Sequence, residues 1–366
     1  MKTRLLFLSL WLSFGTAWGD LVSFSPDRQS LLLIDEETQH IRQRLPLQEK
    51  GCDGPLFSPD GKNAYVLSCS GEIQRFDLKQ GKVSARAQVG SPGHALALSG
   101  DGRYLAVAED AGLSILDAAR LSLLKSVPSG KILQIQAAPL RQSFLLSFDK
   151  LSFEQLAELW EVLLEDDPLP VYNGPMHDYR MDEGIARETG RFPVRRISLE
   201  APLQALLLTP DNRMILGQVG KDPAAQIIHL DVRQPIGTLP LEPSMELERG
   251  AFWRSGNQVL LGVPHGEKPL VSVFDFDEKK IIRQIPTPAA GCKLYSGVSA
   301  LWIGNCGDQV LVLDPNTLEP LKTLRPMPGQ SITGIHFAPG DRAILHLSEG
   351  LPVIVQGKTL QARQVR

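Results

Sequence analysis

Short apolar runs separated by turn-forming clusters recur along nearly the whole chain. In one stretch a Ser58-Pro59-Asp60-Gly61 turn leads into the run Ala64 to Leu67. Ile73 to Asp77 follows as a second run closed by aspartate, and Gly81-Lys82-Val83 opens a third. The next stretch repeats the order: Asp101-Gly102, then Tyr104 to Ala108, then Leu113 to Asp117, then Leu121 to Leu124. Pro-Asp and Asp-Gly pairs accept the positive φ and local side-chain bonding of tight turns. The β-branched, aromatic and leucine-rich runs suit strands packed on both faces. The pattern predicts four short strands per unit, with the aspartate at the end of the third strand capping the turn into the fourth.

That aspartate recurs at Asp35, Asp77, Asp117, Asp231, Asp275 and Asp314, in steps of 42, 40, 114, 44 and 39 residues. The long step holds two units and an insertion, with the missing third strand falling near Glu161. A last unit follows Asp314 and carries Gln356-Gly357 at the aspartate position. A four-strand repeat near 40 residues predicts an all-β fold, an eight-bladed β-propeller of four-stranded antiparallel blades. Seven blades is the alternative if the fourth unit does not close. The first unit offers Leu21 to Phe24, Leu31 to Asp35 and Ile41 to Leu45, with little room for an innermost strand. Ring closure that sets N-terminal strands beside C-terminal ones would leave no free edge.

The repeat breaks at residues 151–200. Ser152 to Glu165 reads either as an amphipathic helix or as the third strand of unit four. After it comes a polar, aromatic, turn-rich stretch with His177, Tyr179 and Arg180, then Arg187, Arg191, Arg195 and Arg196. Such a stretch suits a structured functional loop; a solvated connector with paired charges is the plainer reading.

Composition narrows the class. Lys2 and Arg4, the apolar run Leu5 to Phe14 and Ala17-Trp18-Gly19 form an export signal over residues 1–19, which leaves one domain over 20–366. The expected location is the periplasm, and no later segment is apolar enough to span a membrane. A net charge of −3 excludes a general nucleic-acid binder. Cys52 with Cys69 and Cys292 with Cys306 have similar short spacings in equivalent parts of two units, which favours two disulfides within blades over a metal or redox role. No Cys-x-x-Cys-His attaches a covalent c-type haem, and the common hydrolase, zinc-protease, P-loop and EF-hand motifs are absent. His94 opens an innermost strand near the central channel. His40, His229, His336 and His346 lie in or beside strands and read as structural.

The segment PVYNGPMHDYRMDEGIA (170–186), followed by GRFPVRRISLEAPL (190–203), resembles a segment of the d1-type haem propellers, the family of the cytochrome cd1 nitrite reductase propeller and of haem d1 biosynthesis proteins. ELWEVLLEDDPLPVYNG (158–174), IIHLDVRQPIGTLPL (227–241) and LDPNTLEPLKTLRPMPG (313–329) extend the resemblance. It implies an eight-bladed propeller that holds haem d1, or dihydro-haem d1, non-covalently in its central crevice. The role would lie in maturation of that cofactor or its delivery to nitrite reductase, with other maturation proteins as partners. In the family, Arg and Lys pair with the carboxylates of the macrocycle, as guanidinium forks suit, and His sits near the iron. The cofactor-binding candidates here are His94, His177, Tyr179, Arg180, Arg191, Arg195, Arg196 and His265, with His177 and His265 as candidate iron ligands. Asp53, Glu246 and Gly297 stand where the family carries a proximal His, Pro-His-Leu and Arg-Ser-His. Those departures motivate a second reading: a non-catalytic scaffold that has lost the haem and binds protein partners.

Overall fold

A computed structural model describes residues 20–35, 38–90, 93–148, 157–173, 186–219, 222–297, 300–304, 306–338, 342–356 and 359–365. They form eight antiparallel sheets arranged as blades of one ring, so eight is the blade count. Seven of these sheets have four strands. Blade 2 comprises Gly51–Phe57, Asn63–Ser68, Glu72–Asp77 and Lys82–Gln88, in that order from the channel outward. Blade 1 has three strands, Asp20–Phe24, Ser30–Asp35 and Ile41–Pro46.

Burial identifies which strand blade 1 lacks. Residues 21–24 are wholly buried, as second strands are elsewhere, and Ile41–Pro46 is mostly exposed like an outer strand. The turn between its last two strands carries the Asp35 cap, the feature of a third-to-fourth connection, since Asp35 Oδ1 accepts from the Thr38 amide at 2.7 Å. The missing member among the described residues is therefore the innermost strand.

Each blade is apolar on both faces and buries them against its two neighbours. Eight buried clusters result, one per interface. The cluster that closes the ring joins Leu21, Leu32 and Ile34 of blade 1 to Ile344, Ile354 and Val365 of blade 8. Among the described residues closure rests on this packing, and no strand of blade 8 pairs with blade 1.

The capping aspartates behave as the repeat predicts at Asp77, Asp117, Asp275 and Asp314, each accepting from amides two or three residues onward. Blade 5 differs. There His229 Nδ1 accepts from the amides of Asp231 and Val232, and Asp231 itself pairs with Arg141 at 2.6 Å.

In blade 4 the ambiguous segment is a strand over Ala157–Leu163 and pairs with Val194–Leu199. The rest of the insertion leaves between them and includes the short hairpin Val171–Asn173 with Ala186–Glu188. Glu161, fully buried, holds this region together. It accepts from Arg141 Nε at 2.7 Å, Ser143 Oγ at 3.0 Å and Arg195 Nη1 at 3.4 Å. Removing one member of a buried charged network leaves the others uncompensated and costs roughly 3–5 kcal/mol. Glu161→Ala is expected to lower the free energy of urea unfolding by an amount of that order and so shift the midpoint down, and Asp314→Ala at its exposed turn to lower it far less. Equal midpoints for the two variants would refute this account of blade 4.

Candidate functional site

All innermost strands run the same way relative to the channel, so their first residues share one of its ends. The gap left by blade 1 opens there as a crevice of about 600 Å³. Its walls come from Phe24 to Arg28 of blade 1, Asp53 to Pro55 of blade 2, Lys293 and Tyr295 of blade 7, and Thr333 to His336 with His346 of blade 8. Sites for small molecules and cofactors span roughly 300–1,000 Å³.

The inner wall is a pair of imidazoles. His336 and His346 stack with ring centroids 4.7 Å apart, and His336 Nδ1 lies 2.6 Å from His346 Nε2. One proton is shared in that contact. Burial pushes the His336 pKa down to about 4. Burial, then the neighbouring His336 and Arg28, push His346 down to about 3. Both rings are thus neutral near pH 7, and His336 also meets the backbone of Val22 in blade 1. Across the gap, Phe57 of blade 2 faces His336 with centroids 6.5 Å apart.

The rim is cationic. Arg28 donates from Nε to the Gly51 carbonyl at 2.8 Å and from Nη2 to the Cys52 carbonyl at 3.1 Å. Its guanidinium also lies 4.3 Å from the Phe24 ring centroid. Lys293 sits 5.6 Å from the Tyr295 ring centroid and forms no ion pair among the described residues. Burial raises the Tyr295 phenol to about 12, so it keeps its proton. Asp53 turns one oxygen to the Leu96 amide, 2.6 Å away, which ties blade 2 to blade 3.

Both expected disulfides are present, Cys52–Cys69 and Cys292–Cys306. Each links the start of an innermost strand to the end of the second strand in its blade. Both therefore lie at the crevice end, beside Asp53 and Lys293 respectively.

Few of the residues chosen from the sequence meet here. His94 opens the innermost strand of blade 3 at this same end, with Nε2 2.7 Å from the Ile132 carbonyl, but it is not part of the crevice wall. His265 is fully buried in blade 6, and both its ring nitrogens are engaged, Nδ1 by Ser244 at 2.7 Å and Nε2 by Ser272 at 3.0 Å. Arg191 bonds the Tyr104 hydroxyl at 2.9 Å. Arg195 and Arg196 lie on the outer strand of blade 4, Arg195 on Glu161 and Arg196 over the Trp160 ring at 4.8 Å. His177, Tyr179 and Arg180 fall outside the described residues. The insertion that carries them leaves from the end of a third strand, which places its root at the opposite end of the channel from the crevice.

The three departures from the family pattern have local explanations. Asp53 lines the crevice, and Glu246 pairs with Arg249 at 2.8 Å. A Cβ on Gly297 would lie 2.9 Å from a Phe337 ring carbon, so a larger side chain there requires that ring to move.

Sequence reasoning passed over Arg28, Lys293, His336 and His346. The usable signal was the short first unit, because a missing innermost strand turns the residues on either side of it into walls.

Known proteins share this architecture. Residues 18–167 match the family model described as Cytochrome D1 heme domain. Over 330 residues the chain is 28% identical to Dihydro-heme d1 dehydrogenase of Pseudomonas aeruginosa, covering 86% of this chain and 61% of that protein. It is 23% identical over 362 residues to Protein NirF of Stutzerimonas stutzeri, covering 84% of this chain and 88% of that one. The solved structure titled Dihydro-heme d1 dehydrogenase NirN in complex with DHE superposes with a TM-score of 0.76 at 24% identity, covering 94% of this chain and 72% of that chain, a likeness of fold. The chain thus resembles the d1-type haem propellers while spanning about 61% of the length of the dehydrogenase.

The imidazole pair gives a pH prediction. The folded pKa values of both rings lie below the ordinary 6.5, so on acidification the unfolded chain takes up protons before the folded one does. The stability tied to the pair is complete above about pH 6.5 and is lost as pH falls toward 4. Urea unfolding across that window is expected to show a falling free energy, and the double variant H336N/H346N a shallower fall. Identical slopes would contradict the burial of neutral imidazoles.

Proposed function

We propose that this propeller binds a d1-type tetrapyrrole, haem d1 or its dihydro precursor, in the crevice beside blade 1. It serves maturation of that cofactor, or its delivery to nitrite reductase, in the periplasm. The observation that carries the reading is the donor set. Two rim cations, Arg28 with Asp53 nearby and Lys293, flank a buried pair of neutral imidazoles. Family likeness over residues 18–167 supports the same reading.

The residues present fit such a group. Arg28 spends two of its N–H donors on backbone carbonyls and keeps three, enough for an end-on carboxylate. Lys293 offers a second cation to another carboxylate of the periphery. His336 would supply an imidazole to the metal side, and its hydrogen bond to His346 fixes the ring orientation, as outer partners of ligating histidines do. Tyr295 remains a protonated donor, and His94 is placed at the same end to meet the outer edge of the ligand. When bound, the macrocycle would supply the redox-active metal; the chain holds and orients it without a covalent thioether link. The scaffold reading keeps one observation in its favour, the replacement of three expected family positions by Asp53, Glu246 and Gly297.

Titration of the purified protein with haem d1, followed by absorption, tests the proposal. Wild type should shift the Soret band, and Arg28→Ala or Lys293→Ala should each weaken binding about tenfold or more, since a hydrogen bond to a charged group contributes about 1.5–3 kcal/mol. His336→Ala should alter the bound spectrum itself. An unshifted spectrum with protein in large excess rejects the proposal, and partner capture that persists without tetrapyrrole would then favour the scaffold.

A further inference from the structure

We infer that the Cys52–Cys69 disulfide is a positioning device for Arg28, and through Arg28 a determinant of selectivity for carboxylated ligands in the crevice; the selectivity rests on the tetrapyrrole reading, the positioning does not. The ladder between the first two strands of blade 2 is irregular at its channel end. It is regular at Leu56 and Phe57 but slips twice before that, between Gly51 and Asp53 and again between Asp53 and Leu56. Cys52, Gly54 and Pro55 therefore bulge between the paired residues Gly51, Asp53 and Leu56; the first slip recurs in blades 3, 4 and 8, whereas the second is found in blade 2 alone among the described residues.

The carbonyls that hold Arg28 stand at the first slip, one on the paired Gly51 and one on the bulged Cys52. Gly51 and Cys52 accept from its Nε and Nη2, and the Gly51 amide donates back to the Arg28 carbonyl at 2.9 Å. Arg28 lies in a turn at φ 56°, so its backbone is also in the left-handed region. The disulfide joins Cys52 to Cys69, the residue after the second strand, with Cα atoms 4.9 Å apart, and the Cys69 amide bonds the Lys50 carbonyl at 3.1 Å. A covalent link thus stands at the point where the ladder fails, one bond from the carbonyls that aim the guanidinium. The second disulfide is the natural control. Cys292–Cys306 occupies the equivalent place in blade 7, where the preceding Gly291 carbonyl accepts from Arg249, so its removal bears on Arg249 and leaves Arg28 alone.

Two measurements test the inference. The rate at which phenylglyoxal modifies Arg28, read by peptide mass spectrometry, needs no ligand. It should rise several-fold in C52S/C69S and remain at the wild-type value in C292S/C306S. If C52S/C69S fails to fold, mild phosphine reduction of the folded wild-type protein gives the same comparison. The second measurement compares haemin with its dimethyl ester. Wild type should prefer haemin about tenfold or more, since the ester removes the charge-assisted hydrogen bonds to Arg28 and Lys293, and C52S/C69S should lose Arg28's share of that preference while binding the ester as before. An unchanged Arg28 labelling rate, or an undiminished preference for haemin, overturns the inference. If neither haemin nor the ester binds wild type, the tetrapyrrole reading fails, and the labelling rates alone decide whether the disulfide positions Arg28.

Discussion

Every blade of this protein is apolar on both faces, and that constraint governs the molecule. A sheet with two greasy faces needs a neighbour on each side, and only a closed ring gives every sheet two. The eight interfacial clusters show the condition being met all the way round, down to the smaller one between blades 8 and 1. Among the described residues, closure nevertheless takes place with one strand too few. There blade 1 supplies three strands to a ring built for four, and the deficit falls at the channel. The crevice is thus a consequence of how the ring closes. It lies beside blade 1 because the missing strand lies there.

The chemistry of the crevice follows from this position. Residues of blades 8 and 2 that would otherwise pack on an innermost strand face each other across the gap, which buries His336 and His346 deeply enough to keep them neutral. Rim residues keep solvent contact and are cationic. Burial alone would discourage charge on Arg28, but the nearby Asp53 carboxylate, two carbonyl oxygens and an aromatic face support it. Positive charge at the rim and neutral nitrogen within suit a flat ligand with carboxylates at its edge and a metal at its centre. The two disulfides brace the strands on either side of this opening, where the regular ladder is weakest in blade 2.

Much of the fold was legible in the residues. Turn chemistry and the recurring aspartate led to the blade count, and the paired cysteine spacings led to both disulfides. The aspartate at 231 illustrates a limit of spacing, since His229 performs the capping there and Asp231 serves an ion pair instead. Ser152 to Glu165 was ambiguous because short apolar runs satisfy both helical and strand periodicities; pairing with neighbours on both sides makes 157–163 a strand. The site was much less legible. His336 and His346 sit ten residues apart in two ordinary strands, whose pairing brings the rings together and whose place on the crevice wall no local pattern announces. The insertion, which carries the most specific family resemblance, springs from the opposite end of the channel, and its arginines at 191, 195 and 196 are engaged with Tyr104, Glu161 and Trp160.

The central claim is that the crevice left by the missing strand is a tetrapyrrole site. A crystal structure of the protein grown with haem d1 tests it most directly. The account predicts a macrocycle bounded by blades 7, 8, 1 and 2, with carboxylates at Arg28 and Lys293 and the metal facing His336. A macrocycle bound at the insertion end of the channel, with the crevice empty, would contradict it.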